Sequence, residues 1–254
     1  MSAKYKSPSF LLPNELNTST NPSLSDDRAS MYSMDANGSY ISLGTLLNLG
    51  TDNTICMWIK PKTASLAGSL LASSGFNDSY AFFDNTQGSL IPYWGVTPVP
   101  GYGSTFTDFY TKITDSSVIN TWQFMVLMRT STSMKVYLYN SNYSSTPFTE
   151  TETGYPSTGD STINYINSRP NGTSNLNADL DEFSFFNKVL TDAQINSLYN
   201  SGSPASAAIT INLGAIAYYP LGEQAQNTGY LGNEITNGWQ FPNGVLQDYV
   251  MDFD

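Results

Sequence analysis

Residues 179–204 constrain the fold more than any other stretch, because they commit the chain to a strand that runs straight into a short helix. From 180 to 186 the residues alternate. Phe183 and Phe185 fall on one face, with Glu182 and Ser184 on the other, as in a half-buried strand. Thr191 is suited to cap a helix, and Asp192 puts a carboxylate in its first turn, where the helix dipole favours negative charge. Ile195, Leu198 and Tyr199 then recur at i, i+3 and i+4 and form one apolar stripe. Gly202 and Pro204 stop the helix. Each of these residues has a structural task, so the stretch specifies a fold and leaves function open.

The rest of the chain reads as β. With 254 residues it is long enough for one large sandwich plus an appendage. It holds 17 Tyr and 13 Phe but only 12% charged residues, a mixture that suits short strands joined by polar turns and not a helical protein. The 10 Lys and Arg are scattered along the chain against 21 acidic residues, which argues against a nucleic-acid partner. No apolar run approaches the ~20 residues of a membrane helix, and no secretory h-region follows Lys4 and Lys6. Synthesis in a cytoplasm without that export route is the expectation. The absence of histidine rules out a His-based triad or a His-ligated zinc site. Cys56, the sole cysteine, lies in an apolar strand and reads as a small buried hydrophobe.

Three parts are expected. Residues 1–30 contain Pro8, Pro13 and Pro22 without periodicity and read as an extended arm. Residues 31–213 form the sandwich, and 214–254 form a C-terminal strand segment. In 54–60, Ile55, Met57 and Ile59 point one way and Cys56 and Trp58 the other, so this strand needs cover on both faces; Pro61 ends it. Trp58 and Trp122 are expected in the core. Ser131 to Ser133 would turn a hairpin between 122–128 and 135–139.

These segments resemble the laminin-G-like, concanavalin A-type jelly roll. Asp181, Glu182, Phe183, Phe185, Asn187, Lys188, Leu190, Thr191, Gln194, Ile195, Leu198 and Tyr199 follow its closing motif. Residues 32–43, 54–60, 122–128 and 135–139 are similar to its inner strands, although Ser39 stands where the family often has Asp. The resemblance implies an all-β jelly-roll β-sandwich with one short helix in its C-terminal third. Residues 214–223 (Gly-Ala-Ile-Ala-Tyr-Tyr-Pro-Leu-Gly-Glu) resemble the family's opening strand, yet come last. Either they complete the chain's own sandwich, the preferred reading because an unfilled edge is costly, or they augment a neighbouring subunit and make a homo-oligomer.

Three chemistries bear on function. Sandwich hydrolases align alternating carboxylates on one strand; Asp179 and Asp181 come nearest here, but the last carboxylate is missing, so the chain is expected to be non-enzymatic. The resemblance implies a rim that can hold calcium, for which Asp35, Asp179 and Asp181, with Asp52, are the oxygen donors. Residues 80–110 interleave Tyr80, Phe82, Phe83, Tyr93, Trp94, Tyr102, Phe106, Phe109 and Tyr110 with Gly and Pro, which places some rings on loops. Tyr93, Trp94 and Tyr102 are the candidates to stack on sugars. The resulting expectation is a non-enzymatic virion protein, a phage capsid decoration or fibre component whose partners are other virion subunits and cell-surface glycans. The alternative is an extracellular carbohydrate-binding or adhesion module of a bacterium.

Overall fold

Short β-rich runs punctuated by polar turns build two antiparallel sheets. The computed structural model describes residues 34–35, 40–73, 79–92, 106–153, 160–169, 173–205 and 207–219. The expected arm, 1–30, and most of 214–254 lie outside them. One sheet has seven strands. Its path runs β1 (Met34–Asp35), β11 (Ala178–Phe186), β3 (Asn53–Pro61), β7 (Gln123–Arg129), β8 (Ser133–Tyr139) and β9 (Phe148–Thr153), with β12 (Ala217–Tyr219) also on β11. The other has five, in the order β2 (Ile41–Gly50), β10 (Ser161–Ile166), β4 (Gly68–Ala72), β5 (Ser79–Asp84) and β6 (Ser89–Pro92). The jelly-roll sandwich expected from the sequence is the fold observed.

The core follows from the two-residue period. Ile55, Met57 and Ile59 of β3 enter the layer between the sheets with Leu43, Leu71, Phe83, Leu127, Val136 and Ile163. Cys56 and Trp58 enter a second cluster on the outer side of the seven-stranded sheet. A strand apolar on both faces therefore sits between β11 and β7, with cover on each side. The outer cover is α2 (Asp192–Tyr199), one of three short α-helices among the described residues, with α1 (Thr107–Ile113) and α3 (Ala207–Asn212). Only α2 was expected. Thr191 caps it, and Gln194 returns the bond to the Thr191 backbone, a full capping box. Asn200, in the left-handed region at φ 45°, ends it two residues before Gly202. Ile195, Leu198 and Tyr199 pack on Trp58, Phe124 and Tyr139, and the Tyr139 and Tyr199 rings stack at 4.2 Å. The Tyr137 and Tyr139 hydroxyls donate to Asp192 (2.8 Å) and Asn196 (2.6 Å). Trp122 departs from expectation: it is only partly buried, with the Lys60 ammonium 5.1 Å from its ring.

Two irregularities shape the molecule. In β11 the pairing with β3 slips between Asp181 and Ser184, where Glu182 has φ 56°. The extra residue changes the inward set from Ala178 and Leu180 to Phe183 and Phe185. On the far edge of β11, β1 pairs with Leu180 and Asp179, whereas β12 pairs with Phe183 to Phe185. The first and last described strands thus divide one edge, and Tyr218 of β12 donates its hydroxyl to the Glu182 carboxylate at the bulge. Between the sheets, Ser161 of β10 accepts from Asn53 of β3 at 2.9 Å and from the fully buried Arg129 of β7.

Buried phenols set an alkaline limit. Burial, aided by the nearby Asp192 charge, pushes Tyr139 up to about 12; burial alone pushes Tyr219 up to about 12, and Tyr137 also moves upward. An unfolded phenol ionises near ~10. These groups hold protons in the folded state that the unfolded chain has released, so their contribution is complete below pH ~10 and is lost as pH rises towards ~12. Tyrosinate absorbance and far-ultraviolet circular dichroism are expected to change together in one steep step above pH ~10. Tyrosines that all ionise smoothly while the dichroism holds would contradict this.

Candidate functional site

Tyr93, Trp94 and Tyr102 lie outside the described residues. Several other rings of 80–110 are not displayed on loops. Phe83, Phe106 and Phe109 are fully buried and Tyr110 nearly so. The reason is α1, which the Gly and Pro around it concealed: Phe109, Tyr110 and Ile113 form its inner face against the sandwich core. Tyr110 donates to the Leu66 carbonyl at 3.0 Å, and Glu150 of β9 accepts the Phe109 backbone N–H at 2.7 Å. Burial pushes the Glu150 carboxyl above the usual carboxylate range.

The acidic candidates meet on β11. Asp35 pairs through its backbone with Asp179. The Asp179 carboxylate is bound by Lys60 at 3.1 Å and Lys62 at 2.6 Å. Asp181 is fully buried, and its Oδ1 accepts the Glu182 backbone N–H at 2.9 Å. Among the described residues no three His, Cys, Asp or Glu side chains gather as a metal site. Since two ammonium groups already neutralise Asp179, the melting temperature is expected to be the same in calcium chloride and in EDTA. A rise with calcium that Asp179→Asn abolishes would show metal at this edge.

The outer face of the five-stranded sheet offers a more open surface. Ile163 and Ile166 of β10 both enter the core, and the register slips between Ile163 and Tyr165. Asn164 and Tyr165 therefore share the outer side. Tyr165 lies across from Ser42 and the small Ala72, with the Tyr40 ring 6.4 Å away, and both rings are half-buried. The Asn164 amide oxygen is buried and has no hydrogen-bond partner among the described residues. Ser73 and Thr162 hydroxyls bond at 2.9 Å nearby. On β5, Ala81 and Phe83 point inward and Phe82 outward, half-buried, with the Arg169 guanidinium 5.2 Å from its ring.

Arg169 is placed by a folded-back segment. Asn167, in the left-handed region at φ 61°, accepts the Leu176 backbone N–H at 2.9 Å on its side chain. Arg169 itself donates its backbone N–H to Thr173 at 3.0 Å. The segment rests on β4 through Ser69, which donates to the Ser174 carbonyl at 2.6 Å. Sequence reasoning missed Tyr165 and Arg169. A strict alternation puts Tyr165 on the same face as the core residue Ile163, and only the bulge separates them. Pro170, Asn171 and Gly172 did carry a turn signal beside Arg169.

A second depression, about 630 Å³, lies at one end of the sandwich and is lined by Asn48, Thr51, Asp52, Ser131 and Asn187 among others. Its polar groups largely serve one another: Asn48 donates to Asp160 at 3.0 Å and the Ser131 N–H to Asp52 at 3.2 Å. Among the described residues that line it, none carries a ring to stack on a ligand.

A laminin G family model, described as the concanavalin A-like lectin/glucanases superfamily, matches residues 35–196. No curated protein matches the sequence. Among solved structures, the chain is similar to the native heptameric SAP-like pentraxin of Limulus polyphemus, at 12% identity over 77% of this chain and 89% of the pentraxin, with a TM-score of 0.44. It is similar to domain 4 of AbnA, an extracellular GH43 arabinanase of Geobacillus stearothermophilus in complex with arabinotriose, at 14% identity over 65% and 79% of the two chains, with a TM-score of 0.35. The full extracellular region of zebrafish Gpr126/Adgrg6 gives 14% identity over 83% of this chain but only 25% of that one, with a TM-score of 0.45. Likenesses this distant carry nothing about ligand or activity.

Proposed function

Because the chain belongs to the concanavalin A-like lectin/glucanases superfamily, we propose that it is a non-enzymatic carbohydrate-binding or adhesion module whose site is the outer face of the five-stranded sheet. The observation that carries this reading is the half-buried pair Tyr40 and Tyr165 beside the unsatisfied Asn164 amide oxygen. Rings offer flat apolar surface to a sugar, and an unpaired acceptor rewards a ligand hydroxyl. The non-enzymatic part is supported by the state of the nearest carboxylate pair: Asp179 is held by two lysines and Asp181 is shut from solvent. Neither can protonate a leaving group or attack a sugar.

A glycan array probed with the full chain tests the site. Saturable binding to a defined glycan is expected, and Tyr165→Ala should weaken it about tenfold, the loss of about 1.4 kcal/mol, without lowering the melting temperature. Binding indifferent to Tyr165→Ala and Phe82→Ala would remove this face.

The finer reading is a phage particle component, a capsid decoration or fibre subunit that presents the module outward. It draws support from the low-charge Ser/Thr/Asn-rich composition, the proline-bearing residues 1–30 and the opener-like segment at the C-terminal end. Mass spectrometry of purified particles from the source decides it, and a chain missing from them leaves the extracellular adhesion module.

A further inference from the structure

Resting on the glycan-binding reading above, we infer that the ligand is anionic and that Arg169 selects it through its guanidinium group. Four other cations of the described residues are already engaged. Lys60 and Lys62 share Asp179, Arg129 donates to Ser161 inside the sandwich, and Lys135 lies 4.3 Å from the Tyr137 ring. Arg169 rests instead on the Phe82 ring, and its buried Nε has no hydrogen-bond partner among the described residues. A guanidinium presents five N–H donors in a planar fork that matches a carboxylate or a sulfate. Stacking on a ring leaves that fork unspent, and an unsatisfied buried donor is costly until an acceptor arrives.

The placement suits an oligosaccharide. Phe82 lies opposite Ser69, and Tyr165 opposite Ala72, so the cation and the tyrosine pair are separated by three residues of β4, about 10 Å along the strand. One sugar can lie on the rings while a charged neighbour reaches Arg169. With a formal charge of −11 the molecule does not draw anions in from a distance. Selection must act at contact range, where salt screens little. Asp84, two residues from Phe82 on β5, has its carboxylate turned to Thr86 at 2.6 Å.

The test is an array of oligouronates and sulfated oligosaccharides, each printed beside its methyl-esterified or desulfated counterpart, probed with the full chain and with Arg169→Gln and Arg169→Lys. The expected result is a preference of about tenfold or more for charged members. It should be lost in Arg169→Gln and only partly kept in Arg169→Lys, while both variants still bind the uncharged members and unfold cooperatively. Preference confined to uronates identifies a carboxylate ligand, and preference confined to sulfated members a sulfate ester. Equal binding of charged and uncharged pairs, or a preference that survives Arg169→Gln, overturns the inference and leaves the Tyr165-dependent glycan site standing. No binding to any member, charged or neutral, overturns the underlying reading as well.

Discussion

A chain ending at Leu213 is expected to lose cooperative folding, or to melt at least about 10–20 °C lower than the full chain. The deletion removes Ala217, Tyr218 and Tyr219, each 3% exposed or less. Two tyrosines at roughly 1.5–3 kcal/mol of burial each, together with their ladder to Phe183, Ser184 and Phe185, are a large share of a stability of about 5–15 kcal/mol. Phe183 and Phe185, fully buried in the core, would come to lie at an open edge, and the Glu182 carboxylate would lose the Tyr218 hydroxyl. That edge would also become a template for a second chain. Differential scanning calorimetry with sedimentation of the truncated and full chains checks both consequences. We propose on this basis that 214–254 completes the sandwich of its own chain. A truncated monomer with an unchanged melting temperature would instead assign the segment to a neighbour, and a chain ending at Leu221 separates the share of β12 from that of the residues beyond it.

What could be read in advance was set by local period. Strand β3 was legible in full because alternation sorts Ile55, Met57 and Ile59 from Cys56 and Trp58, and both sets proved buried. The helix α2 was legible because its cap and stripe lie within twelve residues of one another. The bulges were not. At Glu182 one extra residue reverses the parity, and beside Asn164 the irregular pairing of β10 with β2 leaves Ile163 and Ile166 both inward; no residue type announces either, and a positive φ at Glu182 is a conformation the neighbouring strands impose. The candidate face depended on the second of these bulges, so Tyr165 was indistinguishable from a core residue. Helix α1 was hidden for another reason. At seven residues it is too short to show a period of its own, and it is held by Leu66 and Glu150 from distant parts of the chain. The ion pairs on Asp179 were equally out of reach, since Lys60 and Lys62 are adjacent to it only across the sheet.

The second severe effect is expected from one methyl group at Gly68. This residue has φ +139°, a conformation that side chains resist, and a Cβ there would lie 2.6 Å from the Ser174 carbonyl oxygen and 2.8 Å from that of Asn175. Both obstacles are backbone, so no rotamer change can relieve the clash. Either β4 leaves its register with Phe83 of β5, or residues 173–176 lift away from it and the Ser69 to Ser174 bond at 2.6 Å breaks. Gly68→Ala should therefore cost about 2–4 kcal/mol, read as a fall in melting temperature of several degrees. The consequence for function separates the two routes. Arg169 is tied to 173–176 by its backbone N–H bond to Thr173 at 3.0 Å, so lifting that segment would withdraw the guanidinium from Phe82 while Tyr165, on β10, stays in place. Gly68→Ala would then abolish discrimination between charged and neutral glycans before it abolishes glycan binding. Gly50→Ala is the control: it too has a positive φ, at +68°, yet a Cβ there meets nothing within 4 Å, so it should cost only the backbone strain of about 1 kcal/mol and leave that discrimination intact. Equal losses in the two variants would mean that the approach of 174–175 to Gly68 does not hold Arg169 in place.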